Sequence, residues 1–121
     1  MRIGVVAESS AGETRVAATP ATVQQLIQLG YVVSVETQAG ALASFADEAY
    51  TEAGATVVTR DTAWANDIIL KVNAPNDQEI DRLLEGATLV SLLSPSLNPD
   101  LVEKVAARPI TVMAMDAVPR I

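Results

Sequence analysis

Three cations, Arg15, Lys71 and Arg120, are the side chains whose setting suggests chemistry. Each stands beside an apolar run. Arg15 lies in Glu13-Thr14-Arg15-Val16-Ala17-Ala18-Thr19-Pro20, Lys71 follows Ile68-Ile69-Leu70, and Arg120 closes Met115-Asp116-Ala117-Val118-Pro119-Arg120-Ile121. Together they can hold an anionic group, the arginines through a planar fork and the lysine as a point charge. The alternative is that each pairs with a carboxylate such as Glu8, Glu13, Asp67 or Asp116 and only closes a loop. Lys71 is the odd one, because its neighbours read as buried and a buried ammonium needs a partner.

Much other chemistry is excluded. The chain has no cysteine and no histidine, which removes thiol nucleophiles, zinc clusters and imidazole acid-base work at neutral pH. No metal site is expected, and a catalytic role would need carboxylates, lysine, arginine or a cofactor. The six glycines form neither a Walker sequence nor GxGxxG, so this stretch lacks the usual turn for a dinucleotide pyrophosphate. The acidic clusters Asp47-Glu48 and Asp77 to Asp81 sit at helix starts, where they favour the dipole. Met113 and Met115 alternate on a strand and read as core, and Trp64 as a packing lid.

The elements that must position the cations alternate between strand and helix. Residues 2 to 7 read as a buried strand, followed by a polar loop to Ala18. Thr19 as N-cap, Pro20 at the first helical position, the stripe Val23, Leu26 and Ile27 and the stop at Gly30 predict a helix. Tyr31 to Glu36 is a second strand. Ser44 and Asp47 have capping-box spacing ahead of a short helix through Tyr50 that Gly54 ends. Ala55 to Thr59 is a third strand, Asp61 to Trp64 one helical turn, and Asp67 to Val72 a fourth strand. Asn76 and Glu79 repeat the capping-box spacing before Ile80, Leu83 and Leu84, with Gly86 as the stop. Thr88 to Leu93 is a fifth strand, Asn98 to Pro109 a helix with Leu101, Val102 and Val105 inward, and Ile110 to Met115 a sixth strand.

Such alternation with short connections predicts an α/β fold: an open, mostly parallel twisted sheet with helices on both faces, Rossmann- or flavodoxin-like but without the dinucleotide fingerprint. Residues 1–121 suffice for a single domain with an aliphatic core, since only one Trp, two Tyr and one Phe are present. The formal charge of -7 argues against nucleic acid as partner. The start lacks a signal-peptide pattern, and no apolar run approaches the roughly 18 residues of a spanning helix. In an open sheet of this kind ligands bind outside the carboxyl ends of the strands. That edge would carry Arg15, the Lys71 to Asn76 turn, Ser94 to Ser96 and Arg120.

The segments Glu13 to Pro20, Val35 to Tyr50, Ile68 to Pro75 and Val112 to Ile121 closely resemble the amino-terminal part of the alpha subunit of proton-translocating NAD(P) transhydrogenases. Alanine dehydrogenases share the layout. In them the arginine matching Arg15 and the lysine matching Lys71 grip pyruvate, and a catalytic histidine follows the fifth strand, where this sequence has Leu92-Leu93-Ser94-Pro95. The transhydrogenase resemblance implies hydride transfer between NAD(H) and NADP(H), coupled to proton translocation, with NAD(H) bound by the complete protein. It also implies NADP(H) on a partner beta subunit, a homodimer, and a place on the cytoplasmic side of the bacterial inner membrane. It makes Arg120 and Ile121 the start of a loop that contacts NAD(H). The expectation is therefore the first subdomain of an NAD(H)-binding domain, ending before its Rossmann subdomain. It would form one wall of the nucleotide cleft and be inactive alone. Arg15 is then either a strut tied to Lys71 through a shared acid such as Glu8, or a contact to the dinucleotide. An alanine-dehydrogenase-like oxidoreductase domain and a stand-alone module for small anions are the alternatives.

Overall fold

A computed structural model describes residues 1–8, 13–73, 77–91 and 111–114. One six-stranded sheet organises them, in the order β3-β2-β1-β4-β5-β6. The strands are β1 (Arg2–Val5), β2 (Val32–Glu36), β3 (Thr56–Val58), β4 (Ile68–Leu70), β5 (Thr88–Ser91) and β6 (Thr111–Ala114). Every neighbouring pair is parallel. The chain winds outward from β1 through β2 to β3, then crosses back to β4 and proceeds the other way. The strand order thus reverses between β1 and β4, and a crevice opens there at the carboxyl ends.

Alternation along each strand separates two cores. Ile3, Val5, Val33 and Val35 face one side, where α1 (Pro20–Gln28) and α2 (Asp47–Glu52) supply Val23 and Tyr50. Val6, Ile69 and Leu89 face the other, against Ala63 and Trp64 of α3 (Arg60–Trp64) and Leu83 at the end of α4 (Asp77–Arg82). Both faces of the sheet are therefore covered, as the element order predicts. Gly4 is required by this packing: a Cβ there would lie 2.1 Å from the Ala63 carbonyl oxygen.

The first helix follows its sequence signals closely. Thr19 Oγ1 accepts from Thr22 N at 3.2 Å, and Pro20 occupies the first turn. Gly30 follows with φ +103°, a conformation that side chains with a Cβ resist. Tyr50 then ties α2 to the segment ahead of α1, its buried hydroxyl donating to the Ala18 carbonyl at 2.8 Å.

Two local expectations need correction. Ser44 does not cap α2; it adopts φ 69° at the end of a 3-10 turn (Ala41–Ala43), and Ala46 is the N-cap. The Asp47 carboxylate turns back instead, accepting from Thr37 Oγ1 at 2.7 Å and Gln38 N at 2.8 Å, so it closes the loop after β2. Leu84 does not share the buried face of Ile80 and Leu83, because α4 ends at Arg82 and Leu84 is 44% exposed. Strand ends also run shorter than the apolar runs: Val6 and Ala7 extend beyond β1, and Lys71 and Val72 lie just after β4. The expected helix from Asn98, the Ser94 to Ser96 rim and Asn76 as a cap lie outside the described residues.

Candidate functional site at the sheet switch point

Glu8 follows β1 and Lys71 follows β4, the two strands between which the order reverses. Lys71 Nζ reaches Glu8 Oε1 at 3.0 Å and Glu79 Oε2 of α4 at 3.6 Å, with the lysine side chain fully buried and the two carboxylates at 3% and 10% exposure. Glu8 does more than neutralise the ammonium. Its oxygens also accept from Val72 N and Asn73 N, both at 2.9 Å. One carboxylate therefore fixes the β4 loop by main chain and side chain together. A buried cation so held resists removal, since Glu8 would then stay buried without its counter-charge.

Arg15 is placed differently. Its Nε and Nη2 donate to the two oxygens of Glu13 at 2.9 and 2.7 Å, and its backbone N donates to Glu13 Oε2 at 2.8 Å. The fourth donor to Glu13 is Asn73 Nδ2, at 2.7 Å. The four bonds hold the Glu13 carboxyl well below the usual carboxylate range, and the same pairing raises the Arg15 guanidinium. Among the described residues Arg15 and Lys71 share no acid, which corrects the strut expected through Glu8. A line of contacts runs instead from Arg15 to Glu13, Asn73, Glu8 and Lys71, with Asn73 bridging the two acids. Sequence reasoning named Glu8 and Glu13 but missed Glu79 and Asn73. Capping-box spacing had assigned Glu79 to its own helix end, and nothing local marks Asn73.

Both predicted cations nevertheless border one groove. Arg15, Val16, Ala17, Leu70, Lys71, Val72 and Val90 enclose about 340 Å³ there. Its walls are mostly aliphatic, and the Arg15 side chain, 62% exposed, stands at the rim. A second hollow of about 370 Å³ lies beside the loop after β2, lined by Gln38, Ala41, Ser44, Phe45, Ala46, Asp47 and Glu48. The volumes are comparable, so charge decides between them. Two carboxylates and no cation line the second hollow, which disfavours an anionic ligand there. Arg120 and Ile121, the expected cofactor contacts, lie outside the described residues.

Glu36 shows what this edge does not do. An acid at the end of the second strand commonly takes a ribose hydroxyl in dinucleotide-binding sheets. Here Glu36 is 4% exposed and turned inward, its oxygens accepting from Ala7 N at 3.2 Å and Arg60 Nε at 3.3 Å.

The family model described as "Alanine dehydrogenase/PNT, N-terminal domain" matches residues 4–121. The chain belongs to this family. It is 54% identical over its full length to the NAD(P) transhydrogenase subunit alpha of Haemophilus influenzae and 45% identical to that of Cereibacter sphaeroides, covering 24% of each. It is 31% identical to alanine dehydrogenase 1 of Staphylococcus aureus, over 98% of this chain and 32% of that one. A solved transhydrogenase from Sinorhizobium meliloti superposes on the whole chain with a TM-score of 0.96 at 36% identity, over 36% of its own length. A solved L-alanine dehydrogenase superposes on 94% of the chain with a TM-score of 0.91 at 36% identity, over 32% of its length. The chain thus spans about a quarter of the transhydrogenase alpha subunits it matches. The two solved structures share the layout described above, and the chain's counterpart in the transhydrogenases is the amino-terminal part of the alpha subunit. Among the described residues, no helix is long and apolar enough to cross a membrane.

Proposed function

We propose that this chain forms one wall of the NAD(H) cleft in a proton-translocating NAD(P) transhydrogenase. In that reading residues 1–121 are the first subdomain of the alpha subunit's nucleotide-binding domain. The complete protein, on the cytoplasmic side of a bacterial inner membrane, passes hydride between its NAD(H) and NADP(H) held by a beta subunit. The alpha subunit acts as a homodimer, no metal takes part, and residues 1–121 alone are inactive.

The observation that carries this reading is the 54% identity along the entire chain to an alpha subunit, joined to a groove at the switch point with a guanidinium on its rim. The residues fit a wall. They do not fit a pyrophosphate grip, because the sequence after β1 has no GxGxxG pattern, and Glu8 and Glu36 both point inward. NAD(H) would supply the hydride when bound. The wall's residues orient it: Val16, Ala17, Leu70, Val72 and Val90 exclude water from one side, Arg15 and Arg120 offer donors, and Ile121 continues the contact. Direct transfer between two nicotinamides needs placement and no protein acid-base group, consistent with a chain that lacks histidine.

A second reading is an alanine-dehydrogenase-like domain, favoured by Arg15 and Lys71 bordering one groove. The lack of histidine weighs against it. Two measurements separate the readings. The complete polypeptide with its partner subunit should transfer hydride between NADH and an NADP+ analogue and leave pyruvate untouched, whereas pyruvate turnover without transhydrogenation would reverse the choice. Residues 1–121 alone should bind NADH at least about a hundredfold more weakly than the complete polypeptide, since most contacts to the dinucleotide lie elsewhere.

A further inference from the structure

The carboxylate of Glu13 receives four hydrogen bonds and its side chain is 10% exposed, while the arginine it holds is 62% exposed. That asymmetry is informative. A surface pair formed for solubility would leave both ends open to water. Here the acid is seated in the protein and the cation is presented.

The geometry of the fork sharpens this. Glu13 takes Nε and one N–H of Nη2. A guanidinium carries five N–H donors in fixed directions, so both donors of Nη1 and the second on Nη2 remain, without a partner among the described residues. An arginine side chain free in solution loses rotamer entropy whenever it grips a ligand. Anchoring one edge to Glu13 settles that cost before the ligand arrives and aims the opposite edge. Asn73 then fixes Glu13 to the β4 loop, which Glu8 and Lys71 hold in turn. The loop before α1 and the loop after β4 are thereby locked in one register across the groove.

We propose that Glu13 is a positioning residue: it fixes the Arg15 guanidinium at the groove rim so that its free edge meets an acceptor oxygen of the bound dinucleotide, and Asn73 holds Glu13 in place. The inference rests on the reading of this groove as part of the NAD(H) cleft. Glu13 itself touches no ligand and acts only through Arg15.

The test is a double-mutant cycle in the complete transhydrogenase, with NADH as the probe and its Kd read by fluorescence titration. Arg15→Ala should weaken NADH binding by about tenfold, as the loss of a charge-assisted hydrogen bond does at a partly exposed site. Glu13→Ala should weaken it by about three- to tenfold, and Asn73→Ala by less. The decisive value is the double variant Glu13→Ala/Arg15→Ala, which should bind no more weakly than Arg15→Ala alone. A purely structural role for Glu13 would add its loss to that of Arg15, and additivity would therefore overturn the proposal. So would an unchanged Kd in Glu13→Ala beside a weakened one in Arg15→Ala. If Arg15→Ala itself leaves Kd unchanged while the complex still transfers hydride, the contact of this rim with NAD(H) fails, and the positioning role fails with it. Glu13→Gln keeps the shape and loses the charge. It should bind with an affinity between wild type and Glu13→Ala.

Discussion

Lys71 and Arg15 border the same groove and both pair with glutamates, yet they are held in opposite ways. Lys71 is sealed among three elements, its partners Glu8 and Glu79 lying 63 residues before it and on the next helix. Arg15 is exposed and pairs with a glutamate two residues away in its own loop. Burial turns the first pair into a clasp of the fold, because its charges have no water to return to. Exposure leaves the second pair nearly neutral for stability but available to a ligand. The two cations that look alike in the sequence are therefore held differently: one is locked into the fold, and the other stands exposed at the groove rim, where the proposed function gives it a ligand to meet.

The comparison breaks most readily at Lys71. Replacing it by Met leaves Glu8 and Glu79 buried without their cation, and should cost about 3–5 kcal/mol of stability in urea unfolding. A cost below about 1 kcal/mol would mean that the cluster is not a clasp. Glu79→Gln removes only the more distant partner, at 3.6 Å. It should cost less, about 1–2 kcal/mol, and leave the main-chain bonds of Glu8 intact. Arg15→Ala, by contrast, should leave the urea midpoint nearly unchanged; a loss like that of Lys71 would erase the distinction.

Two titrations refine it further. Glu13 is held ionised by its four donors, so its carboxyl should titrate below the ordinary glutamate range when followed by 13C NMR. Because the folded value is lowered, the pair's small contribution to stability is present above the ordinary glutamate range and fades as acid protonates Glu13. Asn73→Ala should move that titration back toward normal. Tyr50 works in the other direction: burial first, and then the Asp47 charge, push its phenol above the ordinary value of 10.0. Folding then favours the protonated phenol. Stability should fall as pH rises past about 10, where the unfolded chain ionises first, and Tyr50→Phe should remove that part of the alkaline loss.

Much of the scaffold was legible because local chemistry dictated it. Thr19-Pro20 and Gly30 bound α1 without help from distant residues, and β-branched runs between glycines mark the strands. Ser44 misled because its left-handed conformation belongs to a turn, and Asp47 found a better use in closing the loop after β2 than in a capping box. Strand order was not readable, since it depends on which edge each crossover takes. The same holds for the site. The need of Lys71 for a partner followed from its apolar neighbours, but Glu79 reached Lys71, and Asn73 reached Glu8 and Glu13, only when the sheet brought β1, β4 and α4 together. Glu36 carried no local sign that it would turn inward to Arg60.

The central claim, that the carboxyl edge at the β1–β4 switch point walls an NAD(H) cleft, is tested most directly by methyl NMR of the complete polypeptide titrated with NADH. The methyls of Val16, Ala17, Leu70, Val72 and Val90 should shift together and saturate at the binding constant, while Ala41 and Ala46 beside the acidic hollow stay put. Binding that leaves the first set unmoved would contradict the account.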